Sequence, residues 1–135
     1  MNYDPKKVQT IVDGYTLTGF GEDSMIEASR MTEKRSSHVG AQGNVTFSKS
    51  ADDRAEVTFT LKTTSPANEK LKQLHDSDEE FDFSCIDQNF DGDVGASGSR
   101  CVVQDVPDFA RGNEVDEVEW TLLVADYETA FEGVM

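Results

Sequence analysis

The chain has 135 residues, and its 27 acidic side chains outnumber its 12 basic ones, which gives a formal net charge of -15 at pH 7. A protein this acidic repels phosphate, which excludes tight sequence-specific binding of DNA or RNA, and adhesion to anionic membranes, as functions of the whole chain. Since 36% of the residues are apolar and a chain of ~150 residues buries roughly 70% of its unfolded surface, we expect one folded domain, residues 1–135.

The negative charge is concentrated in the C-terminal part of the chain. Up to Lys62 there are 8 basic and 9 acidic residues, and beyond it there are 4 basic and 18 acidic residues. Solubility is one explanation of this charge, and an assembly that uses its field is another. The longest apolar run, at 122–125, falls far short of the ~20 residues of a membrane span, so we expect a soluble chain made in a cytoplasm.

The first elements predicted along the chain are strands. In the segment 8–18, apolar and Thr-rich arms flank Asp13 and Gly14, a dipeptide that suits the positive φ angles of a two-residue hairpin turn. Residues 24–30 predict a third strand. The polar segment 31–43, punctuated by glycines, predicts a long loop. Because loops of this length are usually functional or ordered by a partner, we expect it to reach a neighbouring chain.

Two further strands are predicted at 44–50 and 55–63, joined as a hairpin by the four-residue turn 51–54. In the second of them Val57, Phe59 and Leu61 alternate with polar residues, which is the period-2 pattern of a strand with one buried face. We expect its other face to meet solvent or another chain.

A single helix is predicted from Pro66 to about His75. Ser65 is a favourable N-cap, proline is favoured at the first helical position, and apolar residues recur at helical spacing from Ala67 to Leu74. Strands at 81–86, 101–106 and 114–126 complete the prediction. The fold class is therefore mainly β with one α-helix, with about seven strands.

The sharpest local motif lies in the acidic, Gly-rich segment 87–99, which we predict to be a hairpin loop. Asp87, Asn89, Asp91 and Asp93 match the start of an EF-hand calcium loop. The twelfth position, which supplies a bidentate glutamate in such loops, is Gly98 here, and the flanking segments resemble strands. An acidic hairpin loop is the favoured interpretation, and weak binding of calcium or magnesium is the alternative.

The two cysteines, Cys85 and Cys101, flank this loop. If the hairpin is centred near Asp93, the cysteines stand opposite one another and are candidates for a disulfide. Two buried thiols are the expected state in a reducing cytoplasm, and a particle that leaves the cell offers the oxidised alternative.

Motifs of catalysis and of tight cofactor binding are missing from the sequence. It has no GxSxG elbow, no Walker loop and no GxGxxG after a strand, and neither His38 nor His75 belongs to a triad or zinc pattern. We therefore predict a protein that is not an enzyme and has no cofactor.

Three segments together resemble the tail tube proteins of contractile-tailed bacteriophages: YTLTGF at 15–20, VGAQGNVTFSKS at 39–50 and AEVTFTLKTTSP at 55–66. The likeness extends from about residue 8 to residue 74 and is loose beyond. It implies an antiparallel β-barrel or sandwich of tail tube type, whose hexameric rings close an inner barrel and stack into a tube. It also implies that segment 31–43 contacts a neighbouring subunit, that segment 44–63 lines the lumen, and that the helix packs outside.

The function that this resemblance implies is a tail tube through which DNA is delivered to the host. Its partners would be the tail sheath, baseplate and tail terminator proteins, with the tape measure protein and DNA inside the lumen. The protein would be located in the virion after assembly in the host cytoplasm. The alternatives are a free-standing β-sandwich module that binds calcium or carbohydrate, and the tube of a DNA-free contractile injection device.

Two electrostatic hypotheses follow from the predicted tube. The excess carboxylates would approach the lumen, so that DNA slides through without binding. The near-neutral part of the chain, with Lys34, Arg35 and Arg54, would meet the acidic part of the next ring as inter-subunit contacts.

Overall fold

The computed structural model describes residues 3–21, 26–90, 92–109, 111–112 and 116–131. Within them the chain is mainly β, with one α-helix and a short 3-10 turn at Pro5–Lys7. The helix is α1, Ala67–Ser77. The strands are β1 Val8–Val12, β2 Tyr15–Thr16, β3 Ile26–Arg30, β4 Arg35–Val39, β5 Val45–Lys49, β6 Ala55–Lys62, β7 Phe81–Asp87, β8 Val94–Val103, β9 Glu117–Val124 and β10 Glu128–Phe131.

Eight of these strands form one antiparallel sheet in the order β2-β1-β7-β8-β9-β6-β3, and β10 pairs with the first part of β8. Strands β4 and β5 pair only with each other in the described structure, as a separate two-stranded hairpin. The end strands β2 and β3 are not paired with one another within the described residues, so the architecture is sandwich-like and not a closed barrel.

The hydrophobic core lies against the inward face of β6, whose odd-numbered residues from Ala55 to Leu61 are buried. Strand β6 pairs with β9 along its whole length, which places Phe59 beside Trp120. Burying each large apolar side chain of this kind stabilises the fold by roughly 1.5–3 kcal/mol. The strand predicted at 114–126 is confirmed as β9, which buries Trp120, Leu122 and Val124.

The predicted N-terminal hairpin is confirmed as β1 and β2. Asp13 has a φ of 51° and Gly14 a φ of 76°, which are the left-handed conformations that a tight two-residue hairpin turn requires.

The predicted helix is also confirmed, and it extends two residues further than expected, to Ser77. The Ser65 hydroxyl accepts a hydrogen bond from the Ala67 amide and donates one to the Thr18 carbonyl. The Trp120 Nε1 group donates to the Asn68 side chain over 2.9 Å, which ties the helix to β9. No helix among the described residues is long and apolar enough to cross a membrane.

Segment 31–43, predicted as a loop, contains strand β4, and the predicted hairpin of 44–50 with 55–63 is wrong. Strand β5 pairs with β4 across a turn in which Gly43 has a φ of 85°, whereas β6 pairs with β3 and β9. The physical reason is burial. The apolar face of β6 belongs to the core and needs a neighbour on each edge, while β5 has no buried residue.

Segment 87–99 is likewise not a loop throughout, because β8 begins at Val94 and only the residues before it form the turn. The glycines of this segment permit close packing of strands. A Cβ atom on Gly95 would lie 2.0 Å from the Cys85 carbonyl oxygen, and one on Gly98 would lie 2.3 Å from a Val124 methyl group.

The predicted pairing of Cys85 with Cys101 is wrong in this register. Cys85 lies opposite Ala96, and Cys101 lies opposite Phe81. The four residue steps from Phe81 to Cys85 span about 13 Å of strand, well beyond the Cα separation that a disulfide allows. Both cysteines are free thiols.

Candidate assembly surfaces

The most exposed structured element is the hairpin of β4 and β5, residues 35–49, which we call the arm. Every residue of both strands is exposed. The cross-strand register places six side chains on one side, and this side is called the arm face: Arg35, Ser37, Val39, Val45, Phe47 and Lys49. The apolar members expose 70% of Val39, 55% of Val45 and 76% of Phe47. A two-stranded hairpin without a packed face is marginally stable at best, so the arm face is suited to packing against another surface.

The base of the arm is fixed by ion pairs to the segment that precedes β6. Lys34 Nζ lies 3.0 Å from Asp53 Oδ1, and the Arg54 guanidinium binds both carboxylate oxygens of Asp52 over 2.9 Å. Arg30 adds a 2.7 Å hydrogen bond to the Asp52 carbonyl oxygen. These five residues are called the arm clamp, and they set the direction in which the arm leaves the sheet.

The arm clamp lowers the pKa of its two carboxylates. Hydrogen bonds from Arg54 hold the pKa of Asp52 well below its ordinary value, and the Lys34 ammonium lowers the pKa of Asp53. Of the predicted inter-subunit residues, Lys34 and Arg54 therefore have partners within their own chain, while Arg35 lies exposed on the arm face.

The outward side of β3, β6 and β9 is a second candidate surface, called the acidic sheet face. Its charged residues within the described strands are four carboxylates and one ammonium group, and all five side chains are exposed: Glu27, Glu56, Lys62, Glu117 and Glu119. They occupy even-numbered positions of β6 and odd-numbered positions of β3 and β9, because the antiparallel register puts these positions on the same side of the sheet. The surface is broad, polar and negatively charged.

The segment that partly matches a calcium loop, for which an acidic hairpin loop was the favoured interpretation, forms hydrogen bonds within the chain. Asp87 Oδ1 accepts hydrogen bonds from the Asn89 backbone over 3.0 Å and from its side chain over 2.7 Å. Asn89 in turn binds the backbone of Asp4 through both its oxygen and its nitrogen. Asp91 lies outside the described residues, and those described contain no cluster of three or more histidine, cysteine or acidic side chains placed to hold a metal ion. The motif therefore ties the N-terminal turn to the β7–β8 connection.

A third surface, absent from the sequence prediction, is a groove of about 490 Å³ at one end of the interior, called the end groove. Inward-facing side chains of β3, β7, β8 and the segment leading into β10 line it, chiefly Ile26, Ala28, Phe83, Cys85, Ala96 and Tyr127. It continues the hydrophobic core to the surface. No periodicity in the sequence distinguishes these residues from filled core positions.

The two thiols differ in their surroundings. Cys85 lines the end groove, where the Thr10 hydroxyl lies 3.6 Å from its sulfur, and partial burial raises the pKa of this thiol. Cys101 is buried, and the loss of hydration raises its pKa to about 12. Neither environment activates a nucleophile at neutral pH.

Comparison with known sequences identifies a family. The sequence model described as the bacteriophage PhiTE tail tube protein matches residues 10–131. The structural protein ORF10 of Pseudomonas phage KPP10 is 33% identical over 84 residues, which are 58% of this chain and 49% of that protein. The match thus spans about half the length of this curated relative.

Solved structures with the same fold come from several tailed or injecting particles. The sheath/tube terminator of an extracellular contractile injection system, PVC, superposes with a TM-score of 0.66 at 14% identity, over 97% of this chain and 98% of that one. A protein of the native gene transfer agent virion superposes with a TM-score of 0.64 at 15% identity, over 96% of this chain and 100% of that one.

The tube terminating cap of the anti-feeding prophage gives a TM-score of 0.63 at 13% identity, over 96% of this chain and 93% of that one. At these identities the structural likeness shows the fold alone. The family model, in contrast, covers nearly all of the sequence, and on that ground the chain belongs to the bacteriophage PhiTE tail tube protein family.

Proposed function

We propose that this chain is a structural, non-enzymatic subunit of a phage tail tube, which assembles into hexameric rings that stack and carry DNA to the host. The observation that supports this most directly is the arm, a complete hairpin whose apolar face is exposed in the isolated subunit. An element of this kind is stabilised only when a neighbouring molecule covers it. Membership of a tail tube family supports a second copy of this chain as that neighbour.

The sheet itself offers further surfaces for assembly. Strands β2 and β3 end the sheet order, and the outer edge of each has no pairing strand in the described structure. Open edges of this kind pair readily with another chain, and a ring removes them by closure. Sheath and terminator proteins are proposed as partners because the structural relatives come from complexes of those names. Baseplate and tape measure proteins complete the proposed set, in a virion assembled in the host cytoplasm.

The acidic sheet face is our candidate for the wall of the lumen. It carries four carboxylates against one ammonium group, so a ring of six copies would present a charge of about -18 towards its axis. Binding of DNA depends on cations that replace its counterions, and such a wall offers very few. DNA would therefore pass without being held.

Electron microscopy of the purified protein tests the assembly. Rings or stacked tubes in negative stain are expected at high protein concentration. Isolated small particles at every concentration would refute the proposal and favour a free-standing β-sandwich module, for which isothermal titration with calcium would be the next measurement. The proposed contact of Lys34, Arg35 and Arg54 with the next ring predicts that assembly weakens as salt is added.

The lumen assignment requires a separate experiment in the phage. Replacing Glu56 and Glu119 together by lysine should slow or stall DNA ejection, because each ring would then attract the phosphate backbone. A matched control replaces Glu69 and Glu79 together by lysine, which makes the same charge change at two exposed residues of α1 and the segment just after it. Unchanged ejection in the double variant would refute a lumenal position for the acidic sheet face.

A DNA-free injection device is the second candidate, favoured by the likeness of the fold to proteins of the PVC system and the anti-feeding prophage. The two functions differ in particle content. Nuclease-treated particles that contain DNA would support the phage tail, and intact contractile particles without nucleic acid would support the second candidate.

A further inference from the structure

Two apolar surfaces face solvent in the isolated subunit, the arm face and the end groove. The arm face presents Val39, Val45 and Phe47, each more than half exposed. The end groove continues the core through Ile26 and Phe83, among other side chains, and stays unfilled by the described residues. Contiguous exposed apolar surface bordered by polar groups marks a site of interaction.

The sizes of the two surfaces agree. A cavity of about 150 Å³ accommodates a benzene molecule, so the end groove, at about 490 Å³, has room for the ring of Phe47 with an adjacent valine side chain. On the arm, Phe47 lies between the Val39–Val45 pair and the Arg35–Lys49 pair, about 7 Å from each along the strand. A groove that takes Phe47 therefore brings the two cations to its rim.

The charge at the rim is of opposite sign to those on the arm. Asp87 lines the end groove, whereas Glu128 shares the other face of the sheet with Ser97. Arg35 and Lys49 are cross-strand neighbours on the arm face. Opposite charges at the rim of an apolar contact fix its register more than its strength.

We propose that the arm face of one subunit docks in the end groove of a second copy of this chain, with Phe47 inserted and Arg35 and Lys49 near Asp87 at the rim. This inference rests on the proposed self-assembly and specifies the surface that receives the arm. The arm face and the groove are different patches of the same molecule, so their contact is head-to-tail. Contacts of this type propagate into rings or filaments instead of stopping at a dimer.

The subunit does not fill its own groove with its own arm, because the arm face is exposed in the isolated chain. The Lys34–Asp53 ion pair joins the base of the arm to the segment that precedes β6. A competing occupant is the chain's own segment 132–135, which follows β10 and lies outside the described residues.

The position of Cys85 in the groove provides the test. A Val45→Cys variant of the full chain places a second thiol on the arm face while Phe47 stays in place. Diamide, which accepts the two electrons and two protons released by a thiol pair, should then link neighbouring subunits into a ladder on non-reducing gels. Thr46→Cys is the matched control, because this adjacent residue points to the other side of the arm. Val45→Cys with Cys85→Ser should give no ladder, since Cys101 is buried.

The outcomes separate the docking from the tube. Tubes by electron microscopy without a Cys85-dependent ladder, from both Val45→Cys and its cross-strand neighbour Val39→Cys, would overturn the docking and leave the proposed function standing. A Cys85-dependent ladder confined to soluble oligomers would support the docking and overturn the proposed tube. If the wild-type protein forms no tubes and the cysteine variants form neither tubes nor a ladder, both the docking and the proposed function are wrong.

The labelling rate of Cys85 tests whether residues 132–135 occupy the end groove instead. Maleimide labelling of Cys85 in dispersed wild-type protein should proceed at the same rate after residues 132–135 are deleted, and assembly should slow it at least tenfold. Labelling of the dispersed protein that accelerates on deletion would show that the chain's own C-terminal residues fill the groove, and would overturn the docking.

Discussion

Replacing Phe47 by alanine should weaken assembly without weakening the fold. A phenylalanine side chain can bury roughly 150 Å², and the 76% exposure of Phe47 leaves about 110 Å² of it free. At about 25 cal/mol per Å², covering that area contributes nearly 3 kcal/mol to each subunit contact. Ordering the side chain costs roughly 0.5–1.5 kcal/mol, so the net loss on truncation is about 2 kcal/mol.

A loss of about 2 kcal/mol per contact raises the protein concentration needed for assembly by roughly 30-fold. Sedimentation of tubes over a dilution series measures that concentration directly. The thermal midpoint of the dispersed subunit should change little, because Phe47 has no buried contact in the isolated chain. Thr46→Ala on the opposite side of the arm is the control and should assemble like the wild type.

Equal assembly concentrations for Phe47→Ala and wild type would refute the reasoning that the arm face is a buried contact. A large fall in the thermal midpoint of dispersed Phe47→Ala would refute a different step. It would mean that the ring already packs within its own subunit, in conflict with its exposure.

Three further predictions concern the isolated subunit. Gly95→Ala should destabilise it by about 1–3 kcal/mol or more in chemical unfolding, because the new Cβ meets backbone at 2.0 Å, whereas Gly40→Ala, with its nearest neighbour at 3.7 Å, should be nearly neutral. Asp52 and Asp53 have pKa values below their ordinary 3.8, so the stability they contribute is present above about pH 4 and lost as the pH falls further. Thermal unfolding from pH 7 to pH 3 should therefore show a smaller loss for Asp52→Asn than for wild type. Cys101, with a pKa of about 12, should resist alkylation at pH 8 until the protein unfolds, and non-reducing mass spectrometry should find two free thiols.

Local chemistry made the N-terminal hairpin and the helix predictable from the sequence. Asp13 and Gly14 adopt the positive φ angles that a two-residue turn needs, whatever surrounds them. The helix start at Ser65 and Pro66 depends on groups within a few residues, and its apolar spacing points Ala67 and Leu71 into the core. The tail tube resemblance is confirmed as well, since its segments belong to a region that the family model matches.

Strand partners were much harder to predict, because pairing is decided by distant residues. Strands β5 and β6 are neighbours in sequence and both alternate, which favoured a hairpin between them. Only the core shows that β6 needs β9, through the contact of Phe59 with Trp120. The same limitation produced the cysteine error, since a turn placed near Asp93 assumes symmetric arms, whereas the close approach at Gly95 fixes a different register.

The end groove could not be predicted from the sequence, for a related reason. Phe83 and Ala96 have the spacing of ordinary core residues, and the sequence cannot show that the sheet leaves one end of its interior open. Residues 35–43 of the arm belong to the segment predicted as a loop, whereas 44–49 were predicted as a strand paired with 55–63. The strand pairing of the arm matters for function, because a paired hairpin orders Val45 and Phe47 on one face where a loop would scatter them.

The concentration of acidic residues beyond Lys62 acquires two separate uses in this fold. Glu117 and Glu119 lie on the acidic sheet face, whereas Asp87 lies at the rim of the end groove. A repulsive wall needs uncompensated charge, while a docking rim needs charge that the cations of an arm can match. Salt should therefore affect them differently. Screening relieves repulsion across a lumen but weakens the contact at the groove rim, and because tube assembly depends on that contact, assembly should weaken as salt is added.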